Sequence, residues 1–330
     1  MRIAVIGAGG VGAYYGARWQ QAGHHITFVA RGEHLAALQG EGLQVDHPEF
    51  HFHGRVKALA MDEFCMGDPA DYDLFALAIK SSGTASVAAS LADWFARYEA
   101  RLPVLSLQNG VDNEPMLGEA LGKGCVLGGL AIRVGTHVES PGHIIASGEG
   151  QLVVGMWPSE TEADPGPARD VLPALVDACE DAGIPVTASP DIRRELWRKL
   201  VINNAVNPLS AVTGWDTGRL TQDAGMAAVV RRLMRETASV ARADGVLLDD
   251  ADVEEMFELV YNLTPIRTSM LVDRLRGRPM ELDALCGAVV ERARRLGVDV
   301  PATETVAALA AGEIWMDTSS HPTATARADG

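Results

Sequence analysis

Six residues near the start of the chain, Gly7-Ala8-Gly9-Gly10-Val11-Gly12, restrict its fold more than any other stretch. They follow a short apolar run, residues 2–7, and lead straight into a helical pattern over 11–22. A strand, a GxGxxG turn and a helix in that order make the phosphate-binding corner of a dinucleotide-binding βαβ unit. Gly7 permits the tight turn, Gly9 lets the backbone approach a pyrophosphate, and Gly12 lets helix and strand pack closely. Amide hydrogens and the positive dipole end of the helix then face the phosphates, so Ala8, Gly10 and Val11 belong to the same cradle.

The end of the second strand selects between the two nicotinamide cofactors. An NAD site places Asp or Glu there to bind the ribose 2′-hydroxyl. This chain reads Phe28-Val29-Ala30-Arg31, with an arginine and no acid. A guanidinium binds a 2′-phosphate bidentately, whereas a carboxylate repels it. The expected cofactor is therefore NADP(H), with Glu33 as the one nearby group that could instead neutralise Arg31.

Alternating short apolar runs and helices continue through the first half of the chain. Strands are expected at 2–7, 25–30, 74–79, 103–107 and 125–130, several of them apolar throughout, as in a parallel sheet covered on both faces. Segments 142–146 and 151–155 read as a hairpin closing that sheet. After Pro190 the pattern turns helical, with helices expected at 193–205, 225–244, 252–263, 281–296 and 301–311. The fold class expected is α/β: a Rossmann-type doubly wound sheet over 1–189, then an all-helical substrate and catalytic domain over 190–316. Residues 317–330 lack periodicity and read as a disordered tail.

Charge narrows the partners. The net charge of −16 disfavours nucleic acid and anionic membranes, both polyanions. No run approaches the roughly 18 apolar residues of a membrane span, and no signal peptide is visible, so a cytoplasmic protein is expected. The four cysteines are scattered without a CxxC pair, which suggests neither zinc nor disulfides. His51 and His53 form an HxH on a strand pattern, where alternation puts both on one exposed face. No metal is expected.

An acidic chain that binds an anionic ligand must place its few cations with purpose, and only four lysines exist. Lys199 lies in Glu195-Leu196-Trp197-Arg198-Lys199-Leu200, followed by Asn203, Asn207 and Pro208. Positions 199, 203 and 207 are spaced i, i+4, i+8 and share one helical stripe within an apolar run. An ammonium and two carboxamides there need polar partners, which a ligand with a carbonyl and a carboxylate would supply. Spacing alone also allows a Glu195–Lys199 ion pair, and asparagines capping a helix that ends before Pro208.

Taken in order, Gly7–Gly12, Arg31, Ala78-Ile79-Lys80, Gln108-Asn109-Gly110-Val111, Glu195–Lys199 with Asn203 and Asn207, Ser269-Met270-Leu271 with Asp273, and Glu281 resemble the ketopantoate reductase (2-dehydropantoate 2-reductase) family. The resemblance runs to about residue 309. It implies an NADPH-dependent reduction of ketopantoate to pantoate on the branch leading to pantothenate. Lys199 would be the general acid, and Asn109 would lie between nicotinamide and substrate. Lys80 would contact the cofactor near its nicotinamide end. Asn203, Asn207 and Ser269 would bind the substrate, a small 2-oxoacid. Glu281 would contact the cofactor ribose and help orient the lysine, although opening a helix it could also serve as a cap. A homodimer is the candidate assembly. Thr217, Asp112 and the pair Thr268-Ser269 depart from the family pattern around the substrate. Two other readings stay open: a reductase of another small 2-oxoacid, and a non-catalytic NADP(H)-binding sensor.

Overall fold

The computed structural model describes residues 1–312; the expected tail, 317–330, and the last residues of the expected helical domain lie outside the described residues. The strands are β1 (Arg2–Ile6), β2 (His25–Val29), β3 (Leu43–His47), β4 (Phe50–Gly54), β5 (Lys57–Leu59), β6 (Leu74–Leu77), β7 (Val104–Ser106), β8 (Val126–Ile132), β9 (Gly135–Ser140), β10 (His143–Ser147), β11 (Gln151–Met156) and β12 (Val186–Ala188). The helices are α1 (Gly10–Gln21), α2 (Gly32–Gly40), α3 (Met61–Phe64), α4 (Thr84–Arg97), α5 (Asn113–Leu121) and α6 (Pro167–Asp181) in the first half. In the second half they are α7 (Ile192–Thr213), α8 (Thr217–Gln222), α9 (Ala224–Ala243), α10 (Asp250–Asn262), α11 (Ser269–Leu275), α12 (Ala288–Leu296) and α13 (Pro301–Ala311).

The main sheet has the order β12-β11-β8-β7-β6-β1-β2-β5. The strands from β8 to β5 are all parallel, so their carboxyl ends open on one edge. Strand order reverses between β1 and β6, and in open α/β sheets ligands bind at such a switch point. The turns after β1, β2, β6 and β7 carry Gly7–Gly12, Arg31, Lys80 and Asn109 onto that edge. Buried aromatic side chains fill one face: Phe64, Tyr72, Phe75, Trp94 and Phe95 meet at centroid separations of 4.9–6.1 Å. The helical half buries its own core around α7 and α9. No helix among the described residues is long and apolar enough to cross a membrane.

Two expectations need correction. Residues 142–146 and 151–155 do not pair as a hairpin. β10 instead pairs with β9 and β3 in a separate four-stranded sheet, whereas β11 enters the main sheet beside β8. Gly148 and Gly150, both at positive φ, turn the chain from one sheet to the other, a change of direction that local alternation does not report. The helix expected at 193–205 runs on to Thr213 with Pro208 inside it. An interior proline costs about 3 kcal/mol, but every residue from 204 to 211 is buried, and that packing holds the helix through it.

The seat of α7 is set by a pair of glycines. Gly128 on β8 and Gly155 on β11 are direct cross-strand partners and therefore face the same way. A methyl group on Gly128 would lie 2.9 Å from Ile192 Cγ1, and one on Gly155 would lie 3.1 Å from Ile192 Cβ. The sheet is thus bare where the first turn of α7 lands. Gly128→Val should push α7 off the sheet and destabilise the fold by about 1–3 kcal/mol, as over-packing does. Denaturant unfolding checks this; an unchanged midpoint would show that the seat is not tight.

Candidate functional site

The glycine corner is built as a phosphate cradle. Gly7 has φ +103°, and a methyl there would meet Ala78 and Ile79 at 2.7–2.8 Å. A methyl on Gly12 would lie 2.0 Å from the Gly7 carbonyl oxygen. Gly9, in contrast, has nothing within 4 Å, which leaves room for a ligand against its backbone. α1 begins at Gly10 with no side-chain cap and no acid in its first turn, so its amides and dipole are available to an anion. Val11 packs against the sheet core. His34 braces the loop: its Nδ1 accepts from the Gly142 amide at 3.1 Å, so its Nε2 carries the hydrogen and donates to the Ala8 carbonyl at 2.7 Å.

Arg31 is exposed at the carboxyl end of β2, and it makes no ion pair with Glu33 or any other described residue. The residues present thus fit a dinucleotide with a phosphate on its adenosine ribose: open backbone at Gly9, bare amides at α1, and an unengaged guanidinium past β2.

On the same edge, the Lys80 ammonium bridges to the helical half. Its Nζ lies 2.8 Å from Asp273 Oδ2 on α11 and 3.2 Å from Glu281 Oε2. Burial would lower the Lys80 pKa, but the carboxylates of Glu281 and Asp273 more than offset this and raise it. Glu281 also accepts from Asn109 Nδ2 at 3.3 Å and from the Ser81 amide at 3.4 Å. The Asn109 carbonyl in turn accepts from Ser81 Oγ and Asn113 Nδ2, each at 2.8 Å. Lys80, Asn109 and Glu281 are therefore one connected cluster. Glu281 stands at the start of the helical turns, its carbonyl accepting from the Leu285 amide at 3.3 Å, and a wider π-helical turn, Asp283–Gly287, leads into α12.

Lys199 projects from α7. Two helical turns separate it from Ile192, about 10.5 Å of rise. Three strand residues separate Gly128 from Ala131, about 10 Å. The glycine seat therefore sets Lys199 beside Ala131, whose carbonyl accepts from Nζ at 2.9 Å. Lys199 keeps partial exposure, but protein packs densely round its ammonium. Desolvation lowers its pKa to about 8 against the opposing attraction of Glu281 and Glu114. The alternative pairing with Glu195 is not made, because Glu195 turns to Arg198 at 3.8 Å.

Asn203 and Asn207 follow Lys199 on α7, and neither carboxamide has a hydrogen-bond partner among the described residues. Asn204 between them, by contrast, is buried and donates to Thr237 at 2.8 Å, tying α7 to α9. Ser269 is exposed at the start of α11 and makes no hydrogen bond to the asparagines or Lys199 among the described residues; Thr268 beside it is the cap, accepting from the Leu271 amide at 3.2 Å. Thr217 is buried, with its hydroxyl accepting from the Ile266 amide at 3.0 Å. Asp112 is held by Arg292 at 2.6 Å.

Sequence reasoning assigned no role to Asp273, His34, Ser81 or Glu114. Asp273 stood in a recognised segment, but its partner Lys80 is 193 residues away. His34 and Ser81 act on distant backbone groups and leave no pattern in the sequence. Such an arrangement can bind a dinucleotide at one end and hold an ammonium over a polar ligand at the other.

Residues 3–159 match the family described as ketopantoate reductase PanE/ApbA, and residues 191–313 match its C-terminal part. The chain is similar to the 2-dehydropantoate 2-reductase of Archaeoglobus fulgidus, with 31% identity over 311 residues that cover 94% of this chain and 97% of the relative. The 2-dehydropantoate 2-reductase of Halobacterium salinarum is likewise 31% identical, over 94% of this chain and 97% of its own. A solved PanE/ApbA family ketopantoate reductase from Ralstonia eutropha JMP134 superposes with a TM-score of 0.80 at 33% identity, covering 94% of this chain and 97% of its own. Residue chemistry, domain order and these likenesses converge: the chain belongs to the ketopantoate reductase family of pyridine-nucleotide-dependent oxidoreductases.

Proposed function

We propose that this enzyme reduces 2-dehydropantoate (ketopantoate) to pantoate with NADPH, a step towards pantothenate, with Lys199 as the proton donor. The observation that carries the reading is Lys199 itself: a desolvated ammonium anchored on Ala131, followed on the same helix by two unengaged carboxamides. The nicotinamide, when bound, supplies the hydride that reaches C2 of the oxoacid. Lys199 hydrogen-bonds the carbonyl oxygen and transfers a proton to it as negative charge builds there. Asn203 and Asn207 hold the polar groups of the substrate, and Ser269 reaches the substrate carboxylate from α11. Asn109 lies between cofactor and substrate, and Glu281 keeps the lysine oriented while binding the cofactor ribose. Lys80 contacts the cofactor near its nicotinamide end. Gly7–Gly12 take the pyrophosphate and Arg31 the 2′-phosphate.

A second reading is a reductase of another small 2-oxoacid. It is favoured by Thr217, whose hydroxyl is occupied by the Ile266 amide where the family often presents an asparagine. Purified protein assayed against a panel of 2-oxoacids, with NADPH and NADH side by side, separates the two. The largest kcat/KM is expected for ketopantoate with NADPH. A clear preference for a different acid would favour the second reading, and no oxidation of NADPH with any acid would leave only a binding protein.

Lys199→Ala should lower kcat by about 10²–10⁴-fold, the usual contribution of general acid catalysis. Near-normal turnover in that variant would refute the role. Because the donor must be protonated, reduction should decline as pH rises through about 8, where Lys199 loses its proton. Arg31→Ala should raise KM for NADPH by roughly tenfold or more, the loss of a hydrogen bond to a charged group, with little effect on NADH. Equal KM values for the two cofactors in the parent enzyme would reject the NADPH assignment.

A further inference from the structure

A buried carboxyl takes no part in the chemistry proposed above. Glu114, the second residue of α5, is 0% exposed, and neither of its carboxylate oxygens has a hydrogen-bond partner among the described residues. A buried, unsatisfied charge is costly unless a compensating charge lies nearby. On the sheet the Ser106 hydroxyl favours the ionised form of Glu114, and that hydroxyl makes only a marginal bond to Gln108 Oε1 at 3.5 Å. Ser106 is the in-register partner of Gly128, so it stands on the sheet face that α7 covers. Glu114 therefore lies on the α7 side of the sheet, where Lys199 also lies, and the two attract each other.

The groups around this pair can be counted by element. From α7 comes Lys199. From the loop before α5 comes Asp112, whose charge is already taken by Arg292. From β7 comes Ser106, and the first-turn amides of α5 favour an anion. Glu281 also faces the lysine, but its charge is divided among Lys80, Asn109 and the Ser81 amide. Glu114 has no ion pair of its own among the described residues, and its attraction adds to the larger one that Glu281 exerts on Lys199.

We propose that Glu114 is a positioning residue for the reductase reaction, a buried counter-charge that keeps Lys199 in its ammonium form for proton transfer. The proposal rests on Lys199 being the proton donor. Burial pushes Glu114 up to about 7 and brings Lys199 down to about 8.

The test is the pH profile of kcat and kcat/KM for Glu114→Gln with ketopantoate and NADPH. Removing the carboxylate removes an attraction that raises the lysine, so the alkaline limb should move to lower pH by roughly one unit. Activity on the acid side of that limb should be largely kept, and Glu114→Asp should return the limb towards its original position. A uniform loss at every pH, with the limb unmoved, would mean a packing role and overturn the proposal. Should Glu114→Gln fail to fold, the coupling can be read from the other side, because it is reciprocal. In Lys199→Met without substrate, the infrared band of the buried protonated carboxyl should persist to higher pH than in the parent; an unmoved titration overturns the proposal. This second measurement needs no turnover. A shifted band alongside failure to reduce any oxoacid would reject the assigned reaction and not the pairing.

Discussion

The close approach of α7 to the sheet organises everything else in the site. Gly128 and Gly155 leave a bare patch, and Ile192 occupies it with methyl groups where side chains would otherwise stand. Helix and strand then run side by side at nearly matched rise, so Lys199 reaches the Ala131 carbonyl near the end of β8. A thicker side chain at either glycine would lift the helix and carry the ammonium away from the edge where Lys80, Asn109 and Glu281 gather. Protein interiors transmit such displacements because they are close-packed.

Placing a lysine there has an electrostatic consequence. Desolvation disfavours the ammonium, and two carboxylates from different parts of the chain oppose it, which leaves the lysine at about 8, below its ordinary range. A donor poised near working pH is the better proton-transfer catalyst. The neighbouring Lys80 meets the opposite balance: two carboxylates within 3.2 Å raise it, and it stays a fixed cation that draws α11 and the Glu281 segment onto the sheet edge. Identical side chains thus acquire different chemistry from their surroundings.

Some of this was legible in the residues before any coordinates. The glycine corner could be read because its physics is local: turn, amides and helix start lie within six positions. The stripe Lys199, Asn203, Asn207 could be read because helical spacing places polar groups on one face without a tertiary partner. The departure of β10 from the main sheet could not, since Gly148 and Gly150 only signal a turn and not the sheet that receives the next strand. Nor could Pro208 inside α7, where burial outweighs the propensity that would end a helix.

The sequence by itself determined the dinucleotide corner, the arginine in place of an acid after β2, and a lysine with two carboxamides on one helix. Each is a pattern of neighbours along the chain. Only the tertiary structure decided that Lys199 bonds Ala131 and not Glu195, that Lys80 joins Asp273 and Glu281, and that Glu114 is buried without a partner. Charge and desolvation act through space, and the distances that set them exist only once strands and helices far apart in the chain have been packed together.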